Sequence, residues 1–205
     1  MMREGEPFET FASGTLAGAG CFRCQACGFA VALHEGDEVP NCPHCGGEDF
    51  KRSSIFGDLS LREPVAAPSA APPSWLDETR RALDRAGEYL AFDEDGQLRV
   101  VSLREGWTRI GRSLSADIRF DDPTVSRRHG LVNVQQGTVR ILDDRSLNGV
   151  FVNGERIDLR ELCDNDEITV GRFRLYLLRL SSDDHATAGP QPARDVHQQH
   201  GSPVA

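Results

Sequence analysis

Residues 117–130 read D-I-R-F-D-D-P-T-V-S-R-R-H-G. A serine, two arginines and a histidine stand here between two strand-like runs, D-I-R-F and G-L-V-N-V-Q, in a chain with 23 Lys+Arg against 32 Asp+Glu. Flanking segments repeat the pattern: W-T-R-I-G, T-V-R-I-L, V-F-V-N-G, E-I-T-V and R-L-Y-L-L-R-L are short, apolar and punctuated by Gly, Asn or Asp every eight to twelve positions. Many short strands with regular turns indicate a β-sandwich or barrel. Asp95-Gly96, between E-Y-L-A-F-D and Q-L-R-V-V-S-L, is a hairpin signal. No glycine-rich loop opens a helix, which disfavours nucleotide-binding α/β folds.

Outside this block the composition shifts. Residues 21–50 hold five of the six cysteines, residues 63–74 form a Pro/Ala linker, and residues 181–205 are polar and expected to be disordered. Ser74 with Asp77 three residues on predicts a capped short helix with Leu76 and Leu83 on its apolar face, stopped by Gly87. The expected organisation is a flexible segment over 1–20, a metal-binding unit over 21–62, linker and helix over 63–87, a β domain over 88–180 and the tail.

No window approaches 18 consecutive apolar residues, and the N-terminus lacks the apolar core of a secretory signal. The expectation is a cytoplasmic protein in a reducing compartment, where cysteines serve as metal ligands or buried thiols. C-Q-A-C-G at 24–28 and C-P-H-C-G at 42–46 are two C-x-x-C-G turns. Together they predict a closed four-thiolate site of Cys24, Cys27, Cys42 and Cys45, structural in role, taking Zn2+ with iron as the alternative. Cys21 is a spare ligand, Cys163 is expected to be small and buried, and His34 and His44 to face solvent. The segment resembles zinc ribbons and the second knuckle of rubredoxin-type domains.

Fourteen of the 23 basic residues lie in 88–180, and all are arginine. That favours bidentate anion recognition in a few loops over diffuse attraction. The elements I-G-R at 110–112, S-R-R-H at 126–129 and S-L-N-G at 146–149 fall between strands. They offer a guanidinium, a hydroxyl and a carboxamide, the donors a phosphate ester on an extended peptide needs.

These motifs, in this order and spacing, resemble a forkhead-associated (FHA) domain over about residues 88–180. The resemblance implies a sandwich of about eleven strands whose loops bind phosphothreonine peptides. On matching positions it implies that Arg112 and Ser126 grip the phosphate, Arg127 lies along the peptide, Asn148 bonds its main chain and Leu147 frames the site. Gly111, His129 and Gly149 would be structural. Arg128, Arg140, Arg145 and Arg172 are read as solvated, V-G-R at 170–172 and Asn153-Gly154 as turns, and Thr124 as a residue selecting ligand sequence. The implied activity is non-enzymatic: an adaptor in Ser/Thr protein kinase signalling that binds threonine-phosphorylated proteins. Thr10 is a candidate phosphosite, since bacterial FHA regulators capture their own phosphorylated N-terminal segment. The alternative, a transcription-associated or nucleic-acid-binding protein acting through the zinc ribbon, is disfavoured because only Arg3, Arg23, Lys51, Arg52 and Arg62 are basic in residues 1–62.

Overall fold

The computed structural model describes residues 10–53 and 71–181. The first stretch is a four-stranded antiparallel sheet of β1 (Thr10–Ala12), β2 (Gly20–Cys24), β3 (Ala30–Leu33) and β4 (Asp49–Ser53). Its order is β1-β4-β2-β3, which leaves β1 and β3 as the two edges. Phe22, Val31 and Phe50 are fully buried in its small core, with Phe29, Leu33 and Val39 packed around them. The sheet begins at Thr10, inside the segment read from sequence as flexible to residue 20. β1 is held there by antiparallel register with β4, Phe11 opposite Phe50, and by an edge-on contact of Phe11 with Phe22.

Helix α1 (Trp75–Ala82) starts where the sequence reading put it, but Ser74 makes no side-chain cap and the helix ends well before Gly87. Leu83 is the C-terminal cap residue and is already extended. The capping box is replaced by tertiary packing: Leu76 seats on Ala91, Tyr176, Leu178 and Leu180, with Trp75 edge-on to Tyr176.

Eleven further strands form the sandwich. They are β5 (Gly87–Glu94), β6 (Gln97–Leu103), β7 (Gly106–Gly111), β8 (Ile118–Arg119), β9 (Gly130–Gln135), β10 (Thr138–Asp143), β11 (Val150–Val152), β12 (Glu155–Ile157), β13 (Leu159–Leu162), β14 (Glu167–Val170) and β15 (Phe173–Leu180). One sheet has the order β13-β10-β9-β7-β8 and the other β12-β11-β14-β15-β5-β6. The core between them includes Leu90, Ile110, Phe120, Val132, Ile141, Ile168 and Leu175. Strand β15 is apolar almost throughout because both its faces are covered: Leu175 and Leu177 face the core, while Tyr176, Leu178 and Leu180 lie under α1. Asp95 and Gly96, both at positive φ, turn the β5–β6 hairpin, as the dipeptide predicts.

The fold is therefore mainly β, with a sandwich of eleven strands. The tail from residue 182 and residues 54–70, most of the expected linker, lie outside the described residues. Among the described residues no helix is long and apolar enough to cross a membrane.

Candidate functional site

Three loops of the sandwich converge at one end. The β7–β8 loop carries Arg112, the β8–β9 loop carries Ser126 and Arg127, and the β10–β11 loop carries Leu147 and Asn148. Backbone bonds lace the first two together: Arg112 and Ser113 N–H donate to the Ser126 and Arg127 carbonyls at 2.9 and 3.1 Å. Gly111 permits this approach. A Cβ at that position would drive into the Arg127 carbonyl oxygen, so glycine is needed for space.

His129 joins the second loop to the third. It is fully buried, its Nδ1 accepts the Ser126 N–H at 3.0 Å and its Nε2 lies 3.2 Å from the Gly149 carbonyl oxygen. Because Nδ1 is an acceptor, the ring is the neutral tautomer with its proton on Nε2, which donates to Gly149. Burial pushes its pKa down to about 4, against a smaller opposing pull from the Gly149 carbonyl and Asp143. One imidazole thus spaces Ser126 from Gly149.

The Ser126 hydroxyl oxygen accepts the Leu147 N–H at 3.0 Å, which leaves its own proton to donate outward. Arg112 is half-buried, and among the described residues no carboxylate lies within salt-bridge distance of it. Burial first, then the neighbouring Arg127, lower its pKa, with Asp37, Asp121 and Asp122 opposing weakly. Arginine nevertheless stays charged, so among the described residues this is a partly desolvated cation without a counter-ion. Its Nε is buried and unpaired. Arg127 is exposed, also with no ion pair among the described residues. Together with Ser126, Arg128, Arg145 and Leu147, these groups line a cavity of about 610 Å³ whose opposite wall includes Ala32 and His34.

Asn148 is 2% exposed. Its Nδ2 donates to the Thr124 carbonyl at 3.2 Å, which fixes the orientation of the carboxamide. The rest of the amide clasps the main chain of one residue of β3: Oδ1 accepts the Ala30 N–H at 2.8 Å and Nδ2 donates to the Ala30 carbonyl at 2.9 Å. Two residues on, Arg112 Nη1 donates to the Ala32 carbonyl at 2.6 Å and the Ala32 N–H donates to the Pro123 carbonyl at 2.8 Å.

Several readings from sequence need correction. Thr124, read as selecting ligand sequence, is buried with its hydroxyl committed inside the loops: Oγ1 donates to Asp122 Oδ1 at 2.5 Å and accepts the Arg172 N–H. Arg172 is not a bystander in a turn. Its Nε donates to Asp122 at 2.6 Å, its N–H to Thr124 Oγ1 at 3.1 Å, and its guanidinium lies over Phe173. Arg128 is exposed, as its solvated reading expects, and makes a two-pronged contact with Asp144 at 2.7 Å. Asp122, Asp144 and Arg172 thus brace the loops, and only their pairing across 16 to 50 residues reveals it. Asn153 makes its expected turn, but its carboxamide also bridges to Asp166 and the Glu167 N–H. Cys163 is exposed in the turn before β14, not buried. His34 is exposed as expected, whereas His44 stacks on Phe29.

In the smaller sheet, the sulfurs of Cys24, Cys27, Cys42 and Cys45 lie within 4.8 Å of one another. The pairs Cys24–Cys45 and Cys27–Cys42 are 3.6 and 3.5 Å apart. Tetrahedral thiolates around zinc, at about 2.3 Å from the ion, stand about 3.8 Å from each other, so the four sulfurs fit a metal ion with little adjustment. Cys21, buried on β2, is outside the cluster. Gly28 and Gly46 take positive φ, and their N–H groups close the two turns onto the Cys24 and Cys42 carbonyls at 2.8 Å. Burial pushes the Cys27 and Cys42 thiols up, while the Gly47 amide draws Cys45 down. A bound cation would displace the protons that burial retains.

Thr10 lies at the opposite edge of this sheet from β3, paired with Lys51 and accepting a hydrogen bond from Gln25. Strands β4 and β2 separate it from the strand that meets Asn148.

The FHA domain family matches residues 108–171, and a zinc-ribbon containing domain matches residues 1–54. The glycogen accumulation regulator GarA of Mycobacterium tuberculosis is 40% identical over 91 residues, covering 43% of this chain and 56% of its own length. The oxoglutarate dehydrogenase inhibitor of Corynebacterium diphtheriae is 42% identical over 126 residues, 62% of this chain and 87% of that protein. A solved structure from work on phosphothreonine-dependent FHA domain interactions aligns with 46% of this chain and 97% of its own at 33% identity, with a TM-score of 0.44. The chain spans about half the length of the GarA relatives it matches. With the three loops, the eleven-stranded sandwich and the four-thiol sheet together, the chain belongs to the FHA domain family and carries a zinc-ribbon domain ahead of its FHA domain.

Proposed function

We propose that this protein is a non-enzymatic regulatory adaptor that reads phosphothreonine in an extended segment of a partner protein, with a zinc-loaded ribbon as its second module. The observation that carries the reading is Arg112, a half-buried guanidinium lacking a carboxylate partner among the described residues, beside a serine whose hydroxyl proton is uncommitted. A phosphate dianion supplies the missing counter-charge. Arg112 presents a fork to two of its oxygens, Ser126 donates to a third, and Arg127 adds charge from the rim. Asn148 supplies the main-chain contact, a role supported by its grip on both main-chain polar groups of Ala30 in the extended strand β3. The phosphate donor would be a Ser/Thr protein kinase acting on the partner. Capture of the chain's own N-terminal segment through phosphorylated Thr10 is the intramolecular version of the same chemistry, and would require the ribbon to leave its present position.

Fluorescence anisotropy with phosphothreonine, phosphoserine and unphosphorylated peptide pools tests the reading. Affinity in the micromolar range, about −8 kcal/mol, is expected for the phosphothreonine pool alone. Arg112→Ala should weaken it by about thirtyfold or more, since truncating one partner of a desolvated charge pair costs about 2–5 kcal/mol. Ser126→Ala, which leaves the β3 contacts in place, should weaken it as well. Unchanged affinity in both variants overturns the assignment.

A further inference from the structure

The β3 edge of the ribbon sheet does not face water along its length. Strand β3 pairs with β2 on one side only, and its outward N–H and C=O groups at Ala30 and Ala32 are received by Asn148, Arg112 and Pro123. Four hydrogen bonds run along two alternate residues, the spacing of strand addition to a sheet edge. The receiving side chains are the two proposed to hold the phosphopeptide, Asn148 its main chain and Arg112 its phosphate. One carboxamide cannot clasp the main chains of two residues at once.

We infer that β3 is an internal stand-in for the ligand's main chain, so that the docked ribbon closes the phosphopeptide site and a phosphorylated partner must displace it. The inference rests on the phosphopeptide reading of the site. It requires no phosphorylation of the chain itself: β3 brings no phosphate, and the arginine-lined cavity beside it stays open for one. The phosphate is therefore the competitor's advantage. An unphosphorylated extended segment offers only the main-chain bonds that β3 already makes, and at lower effective concentration. A phosphorylated one adds the ionic contact with Arg112 that β3 lacks. Apparent affinity is the intrinsic affinity reduced by the fraction of chains in which the ribbon has left.

Ala32→Pro isolates the contact in the full chain. The Ala32 N–H points away from β2, so proline removes its bond to Pro123 without taking a bond from the ribbon ladder. Ala30→Pro is the parallel variant, removing the N–H held by Asn148. Each should retain one metal ion per chain and bind the best phosphothreonine peptide from the titration about tenfold more tightly than the parent. Hydrogen exchange gives an independent readout. In the parent chain the Ala30 and Ala32 amides should be protected; Asn148→Ala, or addition of that peptide, should release them. Equal peptide affinity in parent and proline variants, or Ala30 and Ala32 amides that exchange freely in the parent, overturns the closure while leaving the phosphopeptide reading intact. Protected amides in a chain that binds no phosphothreonine peptide even as Ala32→Pro overturn the reading, and the competition with it.

Discussion

His129 makes stability of the FHA domain fall on mild acidification, and the size of the effect follows from its burial. The ring is neutral in the folded protein with a pKa of about 4, and it regains an ordinary pKa near 6.5 when the chain unfolds. Between these values the unfolded chain binds the proton and the folded chain refuses it, so stability is full above about pH 6.5 and declines as pH falls. Below the folded pKa this contribution is lost entirely and the slope vanishes. From pH 7 to pH 5 the loss is about 2 kcal/mol, and over the whole interval about 3 kcal/mol. Restricting the experiment to pH 7–5 keeps most carboxylates ionised. Urea unfolding followed by the fluorescence of Trp75 and Trp107 gives the stability at each pH, and NMR titration of the imidazole gives the pKa directly. The ring should keep its proton on Nε2 and show no titration above pH 5. An imidazole that titrates near pH 6.5, or stability flat from pH 7 to 5, refutes the reasoning. Protonating Nδ1 would also place two N–H groups face to face at Ser126, so loss of stability and loss of the Ser126 geometry should coincide.

Two further outcomes test the scaffold around the site. Gly111→Ala should destabilise the FHA domain by about 1–3 kcal/mol and separate the Arg112 and Ser126 loops, because its methyl meets the Arg127 carbonyl; an unchanged urea midpoint counts against that packing. Chelation should release one metal ion per chain and expose the ribbon amides to rapid exchange, since a unit this small relies on its metal to stay folded. The sandwich, with its separate core, should keep its thermal transition, and a sandwich that melts with the ribbon would contradict that separation.

The sandwich was legible in the sequence because alternating strands and turn dipeptides are local signals. Asp95-Gly96 and Asn153-Gly154 turn where their composition says they should, and both C-x-x-C-G turns bring their cysteines into one cluster. The bracing of the site was not legible. Arg172 reaches Asp122 across 50 positions, and neither residue carries a mark that distinguishes it from a solvated charge. The contact between β3 and the loops was equally hidden. It uses the main chain of two alanines, and backbone groups look alike in every sequence. Cys163 was misread because apolar character does not specify burial when the neighbouring Asp164, Asn165 and Asp166 form an exposed turn. The start of the ribbon was misplaced because Thr10–Ala12 is too short to show a period, and only its pairing with β4 makes it a strand.

The seat that holds β3 is a different surface from β3 itself, so the contact is heterologous and has no intrinsic symmetry. A ribbon donated by one molecule to the FHA domain of another reproduces every hydrogen bond of the closed chain. Two molecules exchanging ribbons reciprocally form a closed dimer, and unreciprocated donation continues head to tail. The seventeen residues between Ser53 and Ala71 set the balance, because their reach fixes the local concentration of ribbon that any second molecule has to match.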